Sequence, residues 1–232
     1  MRWYQQNGFD ASLQDGLGGI TFEASVHYYH HKTALENLHS ILPCSRIVWM
    51  LRNPLPRALS EYLHQAVKSK SYPTFVSILS DEVRAIKKCS KGAEESYLKG
   101  FENKLFKCLA RFKLKKYTLS TGFYAYFIHA WTEKFPFEQN LFLDYDTFRS
   151  DPHNTLNKIS NFLGVATFEN VTARWKYNKA NTRDGVAKLL RQKSLNMPQK
   201  LKVDIVNVVQ PQVDKLYELV QENYKWKIDS LS

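Results

Sequence analysis

Between Arg46 and Tyr62 the spacing of apolar residues changes period. Ile47 to Leu51 is an unbroken apolar run, which reads as a strand buried on both faces in a parallel sheet. From Leu55 onward the period becomes helical: Leu55, Ala58, Leu59, Tyr62, Leu63 and Ala66 fall on one face. Arg52 ends the strand, and Asn53 precedes Pro54, a residue favoured at the first position of a helix. A strand that ends in arginine and turns into a helix N-terminus is suited to holding an anion. Free amides and the helix dipole point there, and the carboxyl ends of parallel strands are where α/β folds bind ligands.

The same reading along the rest of the chain predicts a short strand at Ile20–Glu23 and a helix from Thr33 to Ile41, capped by Thr33 and stopped by Pro43. Helices follow at Tyr72–Lys88 and Tyr97–Lys113. An amphipathic helix is predicted over Ser120–Phe135, with Phe123, Tyr126, Phe127, Ala130 and Trp131 as its apolar stripe. Asn140–Tyr145 reads as a strand, Asp151-Pro152 as the start of a helix, and Gly164 as its stop. A polar, basic loop spans Thr167 to Asn196, and a closing helix interrupted by Pro211 runs from Pro198 to Tyr224. Ahead of all this, Trp3–Phe9 reads as the end of an element, followed by a loop containing Gly16, Gly18 and Gly19. Strands followed by helices predict a three-layer α/β domain with a mainly parallel sheet. With 232 residues the chain forms one domain, 1–232, carrying a helical insert at about 70–118.

Composition narrows the partners. Hydrophobic residues make up 44% and charged ones 24% of the chain, ordinary for a globular protein. No apolar stretch approaches the ~20 residues of a membrane span, and the first residues lack a signal-peptide pattern. The net charge of +11 favours polyanions and predicts salt-sensitive binding. Nucleic acid, acidic glycans and anionic membranes all satisfy the charge, although the chain carries no recognised nucleic-acid-binding signature. Of three cysteines, Cys44 is expected to be a buried free thiol. Cys89 and Cys108 either bridge, in an oxidising compartment, or remain two incidental thiols. His27, His30 and His31 lack a carboxylate at matched spacing, so no metal is expected.

Arg46–Tyr62 resembles the 3′-phosphate-binding element of sulfotransferases that use 3′-phosphoadenosine 5′-phosphosulfate. Further segments resemble carbohydrate sulfotransferases in the same order: Thr21–Tyr28; Gly122-Phe123-Tyr124 through Trp131, Phe135-Pro136, Gln139 and Leu141–Leu143; Asp151-Pro152 through Phe162-Leu163-Gly164; and Pro211, Leu216 and Tyr224–Trp226. The resemblance implies a P-loop NTPase-like sulfotransferase fold, the phosphosulfate donor and no metal. Arg52 and Ser60 would contact the 3′-phosphate, since a guanidinium gives a phosphate two parallel hydrogen bonds and a hydroxyl a third. Arg183, beside Gly185 in the basic loop, would fold over the nucleotide. The implied acceptor is an acidic glycan. Ala24 and the Cys89/Cys108 pair lean toward the branch that sulfates chondroitin-type chains. The implied location is the Golgi lumen, behind an anchor that would have to precede this chain.

One family element is missing from the sequence: a K-x-G-T/S loop to cradle the 5′-phosphosulfate, with the lysine that stabilises the leaving oxygen. The first strand or strands and the catalytic base that accompany it are likewise expected ahead of Met1. Charge-assisted hydrogen bonds contribute about 1.5–3 kcal/mol each, so a cradle of several is worth roughly 5 kcal/mol, or a thousandfold in affinity. The chain by itself is therefore expected to transfer sulfate barely or not at all. The alternative is a non-catalytic module that binds sulfated glycan or nucleotide through the remaining half-site.

Overall fold

The computed structural model describes residues 20–25, 27–68, 71–90, 104–112, 114, 116–167, 192 and 196–229. The helices are α1 (Lys32–Ile41), α2 (Pro54–Ala66), α3 (Phe75–Ser90), α4 (Lys104–Leu109), α5 (Tyr124–Thr132), α6 (Tyr145–Ser150), α7 (Pro152–Leu163) and α8 (Gln199–Val220), with strands β1 (Ile47–Leu51) and β2 (Asn140–Asp144). The strands pair in parallel, Ile47 beside Asn140 and Leu51 beside Asp144. Trp49 and Leu51 face a buried layer, whereas Val48 and Met50 are each 40% exposed, so the strand is buried on one face and not, as its sequence predicts, on both.

Two apolar clusters hold the helices. The first joins Leu55, Leu59 and Tyr62 of α2 to Phe75, Leu79 and Ile86 of α3, Leu105 and Leu109 of α4, and Ile205 and Val209 of α8. The second lies beneath the sheet, where Trp49 and Leu51 meet Ile128 and Trp131 of α5, Phe135, and Leu216 and Val220 of α8. Helix α8 thus serves both clusters, one with each half. Asn140 is a buried polar joint between strand and core: its side chain accepts from Trp49 Nε1 at 2.9 Å and donates to the carbonyls of Phe135 and Pro136.

Helix boundaries follow their caps. The Asn53 side chain accepts from Leu55 N, Asp144 from Thr147 N and Asp151 from Asn154 N. Gly164, at φ +73°, ends α7 in the left-handed conformation that favours glycine. Gly122 is required for space: a Cβ there would lie 2.8 Å from Pro54 Cβ.

Several expectations need correction. Ile20–Glu23 forms no strand; the Glu23 carboxylate instead accepts from the Ser25 amide and hydroxyl, and Ile20 and Phe22 are exposed. Helix α1 begins at Lys32 with His31, not Thr33, at the cap, because the His31 carbonyl accepts from Ala34 N and Leu35 N. The 120–135 segment starts as a 3-10 turn at Ser120–Gly122, and α5 is buried nearly all round, not amphipathic. Pro211 does not interrupt α8; it and Asn207, whose carbonyl would have received its missing N–H, both face solvent. Cys44 is exposed, on a turn that follows Pro43. Helix α3 begins at Phe75, not at Tyr72, and α4 is followed by a 3-10 turn at Ala110–Phe112; the start expected at Tyr97 lies outside the described residues. Cys89 and Cys108 form a disulfide that joins them.

Candidate anion site at the carboxyl ends of the strands

The peptide following β1 is held from three sides. Asn53 is buried; while its side-chain oxygen caps α2, its amide donates to the Lys227 carbonyl at 2.9 Å. Tyr124, fully enclosed in α5, shares a backbone hydrogen bond with Arg52, and burial pushes its hydroxyl well above the ordinary tyrosine range. At the end of the neighbouring strand, Asp144 accepts from Trp226 Nε1 at 2.8 Å through one oxygen and from Thr147 through the other. The segment after α8 is therefore tied to both strand ends.

Arg52 projects from this frame. Its guanidinium lies 4.6 Å from the centre of the Tyr145 ring, a cation–π arrangement. Its Nε is buried without a hydrogen-bond partner. A buried cationic N–H left unpaired costs free energy, and an anion would satisfy it. Ser60 stands on the exposed face of α2 with no partner among the described residues. No hydrogen bond links the two side chains. A guanidinium and a hydroxyl are both donors of the kind a phosphoryl group accepts from. Arg183 lies outside the described residues. Among the described residues no three His, Cys, Asp or Glu side chains gather as metal ligands would.

Sequence reading missed the polar frame behind α2. Arg57 pairs with Glu61 at 3.1 Å and donates to the Thr118 carbonyl and Thr121 Oγ1. Burial works against the charge of Arg57, but Tyr124, Tyr29 and Glu61 outweigh it and hold its pKa above the ordinary value. Glu82 is wholly buried in α3. Its carboxylate accepts from Thr118 N and Oγ1, Leu119 N, and Ser120 N and Oγ, at 2.7–3.1 Å. Burial pushes its pKa up against the pull of those donors. The signal was available: Glu82 sits one turn from both Ile78 and Ile86, so the helical period itself places it inside.

This fold belongs to a known class. Residues 27–204 match the sulfotransferase domain, and the chain is a member of that family. Among curated relatives, it is 24% identical over 231 residues to bifunctional heparan sulfate N-deacetylase/N-sulfotransferase 1 of Caenorhabditis elegans, covering 96% of this chain and 24% of that protein. It is 30% identical over 168 residues to the human N-deacetylase/N-sulfotransferase 3, covering 70% of this chain and 16% of that protein. Human heparan sulfate glucosamine 3-O-sulfotransferase 3B1 is 24% identical over 169 residues, 68% of this chain and 37% of that protein. The chain thus spans well under half the length of these relatives. A sulfotransferase structure from Alicyclobacillus acidocaldarius superposes with a TM-score of 0.58 at 22% identity, covering 94% of this chain and 72% of that one. That likeness supports the P-loop-like α/β fold.

Proposed function

We propose that this chain contributes to sulfuryl transfer from 3′-phosphoadenosine 5′-phosphosulfate to a hydroxyl of an acidic glycan. Arg52 and Ser60 grip the 3′-phosphate, and Arg183 closes over the nucleotide. The observation that carries the reading is the buried, unpaired Nε of Arg52 at the strand ends of a sulfotransferase-family domain. The bound nucleotide would supply the sulfuryl group; the role of these residues is to fix its position. The chondroitin-type lean rests on Ala24 and the cysteine pair, whereas the names of the relatives point to heparan sulfate. An acceptor panel of both chains decides between them. A Golgi lumenal setting and a single domain over 1–232 belong to the same proposal.

The test is titration with 3′-phosphoadenosine 5′-phosphate. Loss of one charge-assisted contact in Arg52→Ala weakens binding about ten- to hundredfold, and Ser60→Ala weakens it less. Unchanged affinity in Arg52→Ala overturns the assignment. A second reading is a module that binds sulfated glycan or nucleotide without turnover. Nucleotide binding with no sulfate transfer by this chain would select that reading.

A further inference from the structure

Helices α3 and α4 carry two cationic stripes on their solvent faces. On α3, Arg84, Lys87 and Lys88 are exposed, opposite the buried Val83, Ile86 and Cys89. Across α4 and the 3-10 turn that follows it, Lys104, Lys107 and Arg111 are exposed in the same way, opposite Leu105 and Leu109. The stripes are neighbours. Cys89, next to Lys88, is bonded to Cys108, next to Lys107, with their Cα atoms 5.6 Å apart. Lys88 Nζ also lies 5.9 Å from the centre of the Phe112 ring. Among the described residues, Asp81 pairs with Arg84 and Asp204 with Lys87. Exposed ion pairs of this kind contribute little, so the ridge keeps a surplus of positive charge. By sequence, the intervening residues 91–103 add two lysines and three glutamates, too few acids to cancel it.

We propose that this disulfide-stapled ridge is a binding site for a sulfated polysaccharide, separate from the nucleotide site. The ridge lies on α3, α4 and the turn after it, whereas Arg52 follows β1 over Tyr145 and Ser60 stands on α2. Cations one helical turn apart, in two rows locked side by side, match an extended chain of regularly spaced anionic groups. A polysaccharide fits better than nucleic acid for two reasons. The bridge belongs to an oxidising compartment. Among the described residues, the one exposed aromatic ring beside the ridge, Phe112, already carries Lys88 over one face at 5.9 Å, leaving little for bases to stack on. The inference rests on the glycan class proposed above, but not on the roles of Arg52 and Ser60.

The experiment measures heparin affinity against salt for the whole chain. The variant R84Q/K88Q/K107Q/R111Q is compared with a control, K32Q/K134Q/R149Q/K158Q, that removes equal charge elsewhere on the surface. Unfolding midpoints check that both are folded. The ridge variant should lower the slope of log affinity against log salt by about three, with the control lowering it by no more than about one. The ridge variant should keep wild-type affinity for 3′-phosphoadenosine 5′-phosphate, and Arg52→Ala should keep wild-type affinity for heparin. Equal losses in ridge variant and control, or an unchanged slope in the ridge variant, overturn the proposal. So does competition by a DNA oligonucleotide as strong as that of heparin at matched charge.

Discussion

Arg57 and Glu82 hold opposite ends of one residue. Glu82 accepts the Thr118 N–H at 3.0 Å, and Arg57 donates to the Thr118 carbonyl. The grip sets the loop that leads into α5, and that loop brings Gly122 against Pro54, the first residue of α2. The position of the strand-end arginine is therefore fixed in part by two charged side chains from other elements.

Glu82→Ala leaves three backbone N–H groups and two hydroxyls without their acceptor in a dry environment. Breaking a buried charged network of this kind costs about 3–5 kcal/mol, which for a domain of this size lowers Tm by roughly 6–20 °C. Glu82→Gln, which keeps one acceptor oxygen, should lose less. Thermal unfolding followed by circular dichroism gives the order, and a harmless Glu82→Ala would refute the account.

Gly122→Ala forces a methyl group to within 2.8 Å of Pro54 Cβ. The backbone must shift, at a cost of about 1–3 kcal/mol. Because Pro54 follows the Arg52-Asn53 corner, the same variant should also weaken nucleotide binding, whereas Gly164→Ala should reduce stability alone. Paired denaturation and titration measurements separate the two effects.

Stability should fall in mild acid through His30. Burial, then His31, His27 and Arg57, hold its pKa down at about 4, against an ordinary 6.5. Its ring packs on Tyr29 and Phe127, and its Nδ1 is buried without a partner. Between pH 6.5 and 4 the unfolded chain binds a proton that the folded chain does not, so stability is fully present above 6.5 and drains away as pH falls toward 4. His30→Gln should flatten the dependence of the urea midpoint across that window. A slope identical to wild type would exclude His30 as its source.

The disulfide closes a loop across a sequence separation of 19, for which chain-entropy reasoning gives about 3 kcal/mol. Native protein should expose one reactive thiol, Cys44, to an alkylating reagent, and three after reduction and denaturation. Cys89→Ser/Cys108→Ser should lower Tm, and it should lower heparin affinity as the two cationic stripes come apart. Mass spectrometry of alkylated protein counts the thiols directly.

The legible parts of the fold were those written in local chemistry. The run Ile47–Leu51, the Asn53-Pro54 corner and the Asp151-to-Gly164 helix each announce themselves within a few residues, and each lies where it was expected. The 120–135 helix misled because its polar residues are few and one of them, Tyr124, is buried with its hydroxyl against the Arg52 backbone. A strand at Ile20–Glu23 also needs a partner, and local bonds from Ser25 to the Glu23 carboxylate took its place. At the candidate site, the place of Arg52 at the end of the strand was readable. Its supports were not: Trp226 on Asp144 and Lys227 on Asn53 join residues remote in sequence, and no periodicity encodes them.

Those remote supports change how the chain can be handled. Asn53 spends its oxygen on the start of α2 and its amide on the Lys227 carbonyl, so the last described residues act as a latch across the strand ends. Trimming back to Gln221, where α8 stops, would leave every helix intact and still unfasten that corner. The safe boundary for any shortened version lies beyond Asp229, and a fusion partner attached there needs slack enough not to lift the latch.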